Sequence, residues 1–214
     1  VGSEMCIRDS LNTRSMVDLA KKEGFGYFQL FGLFYLGLHQ ALQALAKRRT
    51  QSDTQVKEGI AQMEQALALA RDSGSPLGIS SHLINLAAVY GQTGRIQEGL
   101  QLLDEAQTLV NRNGSHYFEP ELNRVKGELL LQDSPDLIQA ESCFWRAITI
   151  ARKQQARHFE LRATVSLCRL WQQQGNVAAA HELLAAILGW FTEGFDLPDL
   201  QEAQELLTDL AVSV

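Results

Sequence analysis

The sequence predicts an all-α protein, an α-solenoid of helix-turn-helix repeats with a period of about 40 residues closed by a C-terminal capping helix. Two observations carry this. Four stretches of helix-forming sequence share one apolar spacing, and Gly-containing polar turns recur at matching intervals. A third supports them: only four prolines occur in 214 residues, and Ala, Leu, Gln and Glu favour the helix interior.

The repeat is clearest when VKEGIAQMEQALALA, from Val56, is aligned with IQEGLQLLDEAQTLV, from Ile96. Gly59, Met63, Ala66 and Leu69 correspond to Gly99, Leu103, Ala106 and Leu109, and further on to Ala140, Phe144, Ala147 and Ile150, then Ala180, Leu184, Ile187 and Trp190. The spacing i, i+4, i+7, i+10 predicts one apolar stripe on each of four helices. A small residue heads every set, where two helices are expected to approach closely. A partner helix precedes each of the later three, over 80–92, 120–132 and 158–174, and each ends in a polar turn, GQTGR, QDSPD or QQQGN. Gly24, Gly74 and Gly114 stand where helices should end in a left-handed cap.

The predicted domain plan follows the chain. Residues 1–10 are set apart, because VGSEMCIRD matches codon for codon the translation of a transposase sequencing adapter. They are expected to be non-native, with the native chain continuing upstream and Cys6 carrying no function. Residues 11–24 are expected to form a partial repeat helix. Repeat 1 spans 25–74 with an insertion near 48–55, where Lys47, Arg48 and Arg49 read as a solvated basic turn, with a docking site as the alternative. Repeat 2 spans 75–114, repeat 3 spans 115–156 and repeat 4 spans 157–194. A capping helix and tail occupy 195–214, with Asp196 as N-cap, Pro198 in the first turn, and Phe195 with Leu200 as a hydrophobic staple. The apolar run 25–38 is shorter than the roughly 20 residues of a membrane-spanning helix and is expected to lie buried between neighbours.

The pattern resembles the tetratricopeptide repeat. That family's succession of apolar pair, aromatic, Gly, small, large and small residues reads here as Leu86, Ala87, Tyr90, Gly94, Gly99, Leu103, Ala106. It reads again as Leu167, Cys168, Trp171, Gly175, Ala180, Leu184, Ile187. The period of about 40 exceeds the family's roughly 34, and the family's late Pro is missing. Three stretches, 117–131, 141–175 and 189–207, further resemble the C-terminal region of bacterial STAND- or AAA-type signalling ATPases, often adenylate/guanylate cyclase fusions. The resemblance implies a parent with a cyclase or DNA-binding output and an ATPase. No GxxxxGK[ST] lies in this chain, so none of that chemistry is assigned to it.

The reading is therefore of a non-catalytic scaffold, with no catalytic residues, no metal site and no cofactor. His39, His82, His116, His158 and His181 form no HExxH. Cys143 and Cys168 fall on core stripes and read as inert thiols. A net charge of −6 argues against direct binding of nucleic acid or an anionic membrane. The expected setting is the cytoplasm.

Partner binding is expected on the first helix of each hairpin (the A helix, over 80–92, 120–132 and 158–174), the striped helix that follows being the B helix. The tetratricopeptide resemblance places Ser81, Gln92, Glu121, Arg124, Glu128, Arg162, Arg169 and Gln173 along a concave groove. The partner would be a protein, or the parent's own ATPase or cyclase domains. A peptide or small-molecule sensor is the alternative, with Phe28, Phe31, Phe34 and Tyr35 lining an apolar pocket. Charge is polarised along the chain: residues 170–214 contain no Lys or Arg, whereas Arg146, Arg152, Lys153, Arg157, Arg162 and Arg169 cluster just before. This predicts a surface for an electrostatically matched partner.

Overall fold

The structure, a computed structural model, describes residues 2–47, 52–74, 78–133 and 137–212, and the side chains of 12–47, 53–74, 78–133 and 137–212. The described residues form helices joined by turns and short irregular connections, with no strand among them. The helices are α1 (Gly2–Glu23), α2 (Gly26–Lys47), α3 (Ser52–Asp72), α4 (Ile79–Gln92), α5 (Ile96–Asn113), α6 (Glu119–Asp133), α7 (Leu137–Gln154), α8 (Arg157–Gln173), α9 (Val177–Leu188) and α10 (Pro198–Val212). They form two compact units, Val1–Leu109 and Val110–Val214. In the first, α2 packs against α1, α3 and α4. In the second, α8 packs against α6, α7, α9 and α10. No described helix is long and apolar enough to cross a membrane.

The predicted stripes hold at three of their four positions. Met63, Ala66, Leu103, Ala106, Ala140, Phe144, Ala147, Ala180, Leu184 and Ile187 are all buried, as are Gly59 and Gly99. The fourth position fails: Leu69 is 45% and Trp190 56% exposed. Its place is taken one residue later by Ala70, Val110 and Ala151, all buried. The reason is the helical period. Ten residues end about 80° off the stripe, whereas eleven return to within about 20° of it. Trp190 lies beyond the end of α9 altogether.

Small residues allow the close approaches. A Cβ on Gly37 would stand 2.6 Å from the carbonyl oxygen of Gly59, and one on Gly59 2.6 Å from that of Gly37. In the second unit the Phe144 ring lies over Gly127, where a Cβ would come within 2.6 Å of it.

Left-handed residues end the B helices in register. Gly74 (φ 69°) and Gly114 (φ 66°) do so as expected, and the next equivalent position is Gln155 at φ 56°. Gln155 closes the same cap that a glycine would: its N–H donates to Arg152 O, and Ala156 N–H donates to Ala151 O.

Around the insertion expected in repeat 1 the helices are long: α2 has 22 residues and α3 has 21, against 15 for α6 and 18 for α7. Arg48 and Arg49 lie outside the described residues. At the C-terminus α10 begins at Pro198, so Leu197 and not Asp196 takes the capping position. Leu197 O accepts from the N–H of Leu200 and Gln201. Leu200 is buried, but Phe195 remains 40% exposed.

Candidate functional site: an arginine–carboxylate face on the second unit

Helices α6 and α8 of the second unit carry the polar residues expected to face a partner, and burial sorts them into two groups. Glu121 and Arg124 are each 8% exposed. Arg124 sits between two carboxylates on its own helix: Nε and Nη2 donate to the two Glu121 oxygens at 2.9 and 2.7 Å, and Nη1 donates to Glu128. Spacings of three and four residues place all three on one side of α6. A fork of guanidinium donors matches two carboxylates better than any ammonium could.

Helix α8 completes the network. Arg162 Nη2 lies 3.0 Å from Glu121 Oε1, and Ser166 Oγ donates to Glu128 at 2.9 Å. Burial by itself would raise the Glu121 pKa. The Arg124 guanidinium outweighs it, Arg162 and His158 add to the effect, and the carboxyl titrates below its ordinary range. Burial likewise opposes the Arg124 charge, but Glu121 and Glu128 more than compensate and hold it protonated.

The remaining predicted residues are more open. Arg162 is about one-third exposed and Arg169 over half, and Arg169 Nη2 pairs with Glu202 of α10 at 2.8 Å. Gln173 is exposed at the end of α8. A small cleft of about 60 Å³ lies among Arg124, Glu128, Arg162, Ser166, Arg169 and Asp199. In the first unit Gln92 is exposed, whereas Ser81 is buried and its hydroxyl donates to Gly78 O at 2.8 Å. Ser81 therefore offers nothing to a partner: its position on α4 turns it into the helix packing.

Sequence reasoning missed Ser166, Asp199 and Glu202. Ser166 was legible in principle, since it lies four residues after Arg162 and three before Arg169. Asp199 and Glu202 reach the site only because Leu200, Ala203, Leu206 and Leu210 bury α10 against the cluster of Leu161, Val165 and Leu184. That docking also changes the meaning of the charge polarisation. Arg169 pairs with Glu202, and His158 Nε2 lies 3.4 Å from Asp199, so part of the acidic tail answers the basic stretch within the chain.

The thiols lie away from this face. Burial pushes the Cys168 pKa up to about 12, and its Sγ lies 3.2 Å from Ala180 O, to which it donates. Cys143 is half-buried, and burial raises its pKa too. Among the described residues no three His, Cys, Asp or Glu side chains gather as a metal site.

No known family matches the chain, and no curated protein does. Solved structures do. One is of the nearly identical TPR-like repeats of a kinesin-light-chain-like protein from Podosopora anserina, with a TM-score of 0.54 and 20% identity over 83% of this chain and 87% of that one. A single-residue variant of that same protein gives 0.53 and 20% over 83% and 95%. At that identity the likeness speaks for the fold alone, and with the buried stripes and capped hairpins above, the fold is that of a TPR-like helical repeat protein.

Proposed function

We propose that this chain is a non-catalytic interaction module, and that a protein partner docks on the arginine–carboxylate face of its second unit. One observation carries the reading. Buried Glu121 and Arg124 hold a charge network that fixes Arg162, and Arg162 and Arg169 then present their guanidinium groups two turns apart on one helix. Fixed, half-exposed arginines are the side chains through which interfaces gain most. The resemblance of 117–131, 141–175 and 189–207 to signalling ATPases gives the setting: the partner is another protein, or the ATPase or cyclase domains of the parent, in a bacterial cytoplasm. Partner binding would bias the parent between its active and inactive states.

The test compares the wild type with Arg162→Glu/Arg169→Glu, leaving Arg124 intact because its reversal would strand buried carboxylates. Tagged chains are used to capture partners, quantified by mass spectrometry. A partner depleted at least about tenfold by the double substitution, near 1.4 kcal/mol, supports the face. Equal recovery removes it.

A second reading has its own observation. A cavity of about 330 Å³ lies in the first unit among Asn12, Thr13, Met16, Phe31, Tyr35 and His39. It uses two of the four aromatic residues expected to line a sensor pocket. Of the others, Phe34 is wholly buried in the core and Phe28 is 51% exposed. A metabolite that raises the melting temperature of wild type, but not of Phe31→Ala, would favour the sensor.

A further inference from the structure

We infer that Asn113 is a site of spontaneous modification: the backbone nitrogen of Gly114 displaces the side-chain amide, and water converts the residue to aspartate and isoaspartate. The chain holds six asparagines, and Asn113 is the one that precedes a glycine; the others precede Thr13, Leu86, Arg112, Arg124 and Val177. A side chain on the following residue hinders the approach of its nitrogen to the asparagine, and glycine has none.

The end of α5 leaves that approach open. Gly114 adopts φ 66°, and a Cβ placed there would meet no atom within 4 Å. Asn113 is the last residue of α5, and residues 111–117 are all exposed. The cap is also the least tied of its kind. Gly114 N–H donates to Val110 O at 3.0 Å, and this bond must open for the nitrogen to react. At four other helix ends a second bond locks the turn: the N–H groups of Phe25, Arg95, Ala156 and Asn176 donate to Ala20 O, Tyr90 O, Ala151 O and Trp171 O at 2.8–2.9 Å. Ser115, at the matching place, makes no such bond among the described residues. A helix end held in this way frays first. The chain is fixed again at His116, whose carbonyl accepts from Gln154 Nε2 at 2.7 Å, so only 113–115 need move. The other asparagines are held differently. Asn12, Asn85 and Asn111 lie inside helices, and Asn123 is buried with its Nδ2 donating to Glu119 O.

The reaction consumes one water and releases one ammonia. The Gly114 nitrogen gives up its proton to solvent and attacks the side-chain carbonyl carbon of Asn113. The new C–N bond closes a succinimide ring, the bond to the amide nitrogen breaks, and that nitrogen takes up a proton and leaves as ammonia. Water then opens the ring. Cleavage at the side-chain carbon gives aspartate, and cleavage at the main-chain carbon gives isoaspartate, whose backbone is one methylene longer. Either product places a carboxylate at the negative end of the α5 dipole, where an anion is unfavourable. The added methylene also carries Gly114 N–H out of register with Val110 O, so the isoaspartate form loses the cap.

The experiment ages the intact chain in neutral buffer made with H₂¹⁸O and maps its peptides by mass spectrometry. The peptide containing Asn113 should gain about 3 Da, as ¹⁸OH replaces NH₂, and electron-transfer fragmentation should find isoaspartate at that position. Peptides carrying Asn85, Asn111, Asn123 and Asn176 should stay unconverted over the same interval. Asn113→Gln keeps an amide at an exposed position but must close a larger ring, and should not convert. Gly114→Ala should convert more slowly than wild type; Asn113→Gln serves alone if the left-handed turn prevents that variant from folding. Hydrogen exchange in the last turn of α5 should be faster in the aged wild type than in the fresh protein, and unchanged in aged Asn113→Gln. An unconverted Asn113, equal conversion at Asn111, or aspartate formed without isoaspartate would overturn the site. Unchanged exchange in converted protein would overturn the loss of the cap.

Discussion

Replacing Gly59 by alanine sets two effects of opposite sign against each other. On an exposed helix face the change would stabilise α3 by about 1 kcal/mol, because alanine is the better helix former. At this position the new Cβ would lie 2.6 Å from Gly37 O, 2.8 Å from Ala41 N and 3.0 Å from Ala41 Cβ. Two of these three atoms are backbone, so no rotamer change relieves the contact. Restoring an ordinary separation requires α2 and α3 to part by about 0.8 Å, a gap that forfeits a quarter to a half of each dispersion contact it opens. The interface that opens contains Phe34, Ala41 and Met63, all fully buried. Overpacking of this kind costs about 3 kcal/mol at the upper end of its usual range, so the net loss is about 2 kcal/mol. For a chain of 214 residues that is a fall of roughly 4–8 °C in Tm, read by circular dichroism or calorimetry. Ala61→Gly, two residues along on the exposed face, serves as reference and should cost about 1 kcal/mol through propensity alone. A Gly59→Ala protein that melts higher than wild type would refute the close-approach argument.

Three further outcomes are expected. Gln155→Gly should stabilise by about 0.5–1 kcal/mol in urea unfolding, because it relieves a left-handed side chain while keeping both cap hydrogen bonds. Arg124→Met should cost about 3–5 kcal/mol, because it leaves Glu121 buried opposite no guanidinium of its own helix; a loss under 1 kcal/mol would contradict the network's role. His82 is 2% exposed, both its ring nitrogens lack a hydrogen-bond partner among the described residues, and burial lowers its pKa to about 4. The folded-state pKa is below the unfolded value of about 6.5, so the unfolded chain alone takes up the proton as pH falls from about 6.5 towards 4. Stability should drop by about 3 kcal/mol over that window, and the drop should be smaller by that amount in His82→Phe, which keeps a ring against Phe34 at the 4.1 Å stacking position.

Whatever depends on local period and local chain geometry could be read from the order of the amino acids. The apolar spacing identified the four striped helices, the small residue at Gly59 marked a close approach of α2 and α3, and the glycines marked the left-handed caps. The fourth stripe position failed for the same local reason, a drift in helical phase. Which polar residues remain accessible was settled by the packing of helices distant in the chain. Ser81, Glu121 and Arg124 occupy helix faces that read as wet and are buried. Glu202 reaches Arg169 from 33 positions away because α10 is anchored by its leucines. Local sequence sets the energies of single helices, whereas burial and pairing are set by neighbours that the chain brings together only when it folds.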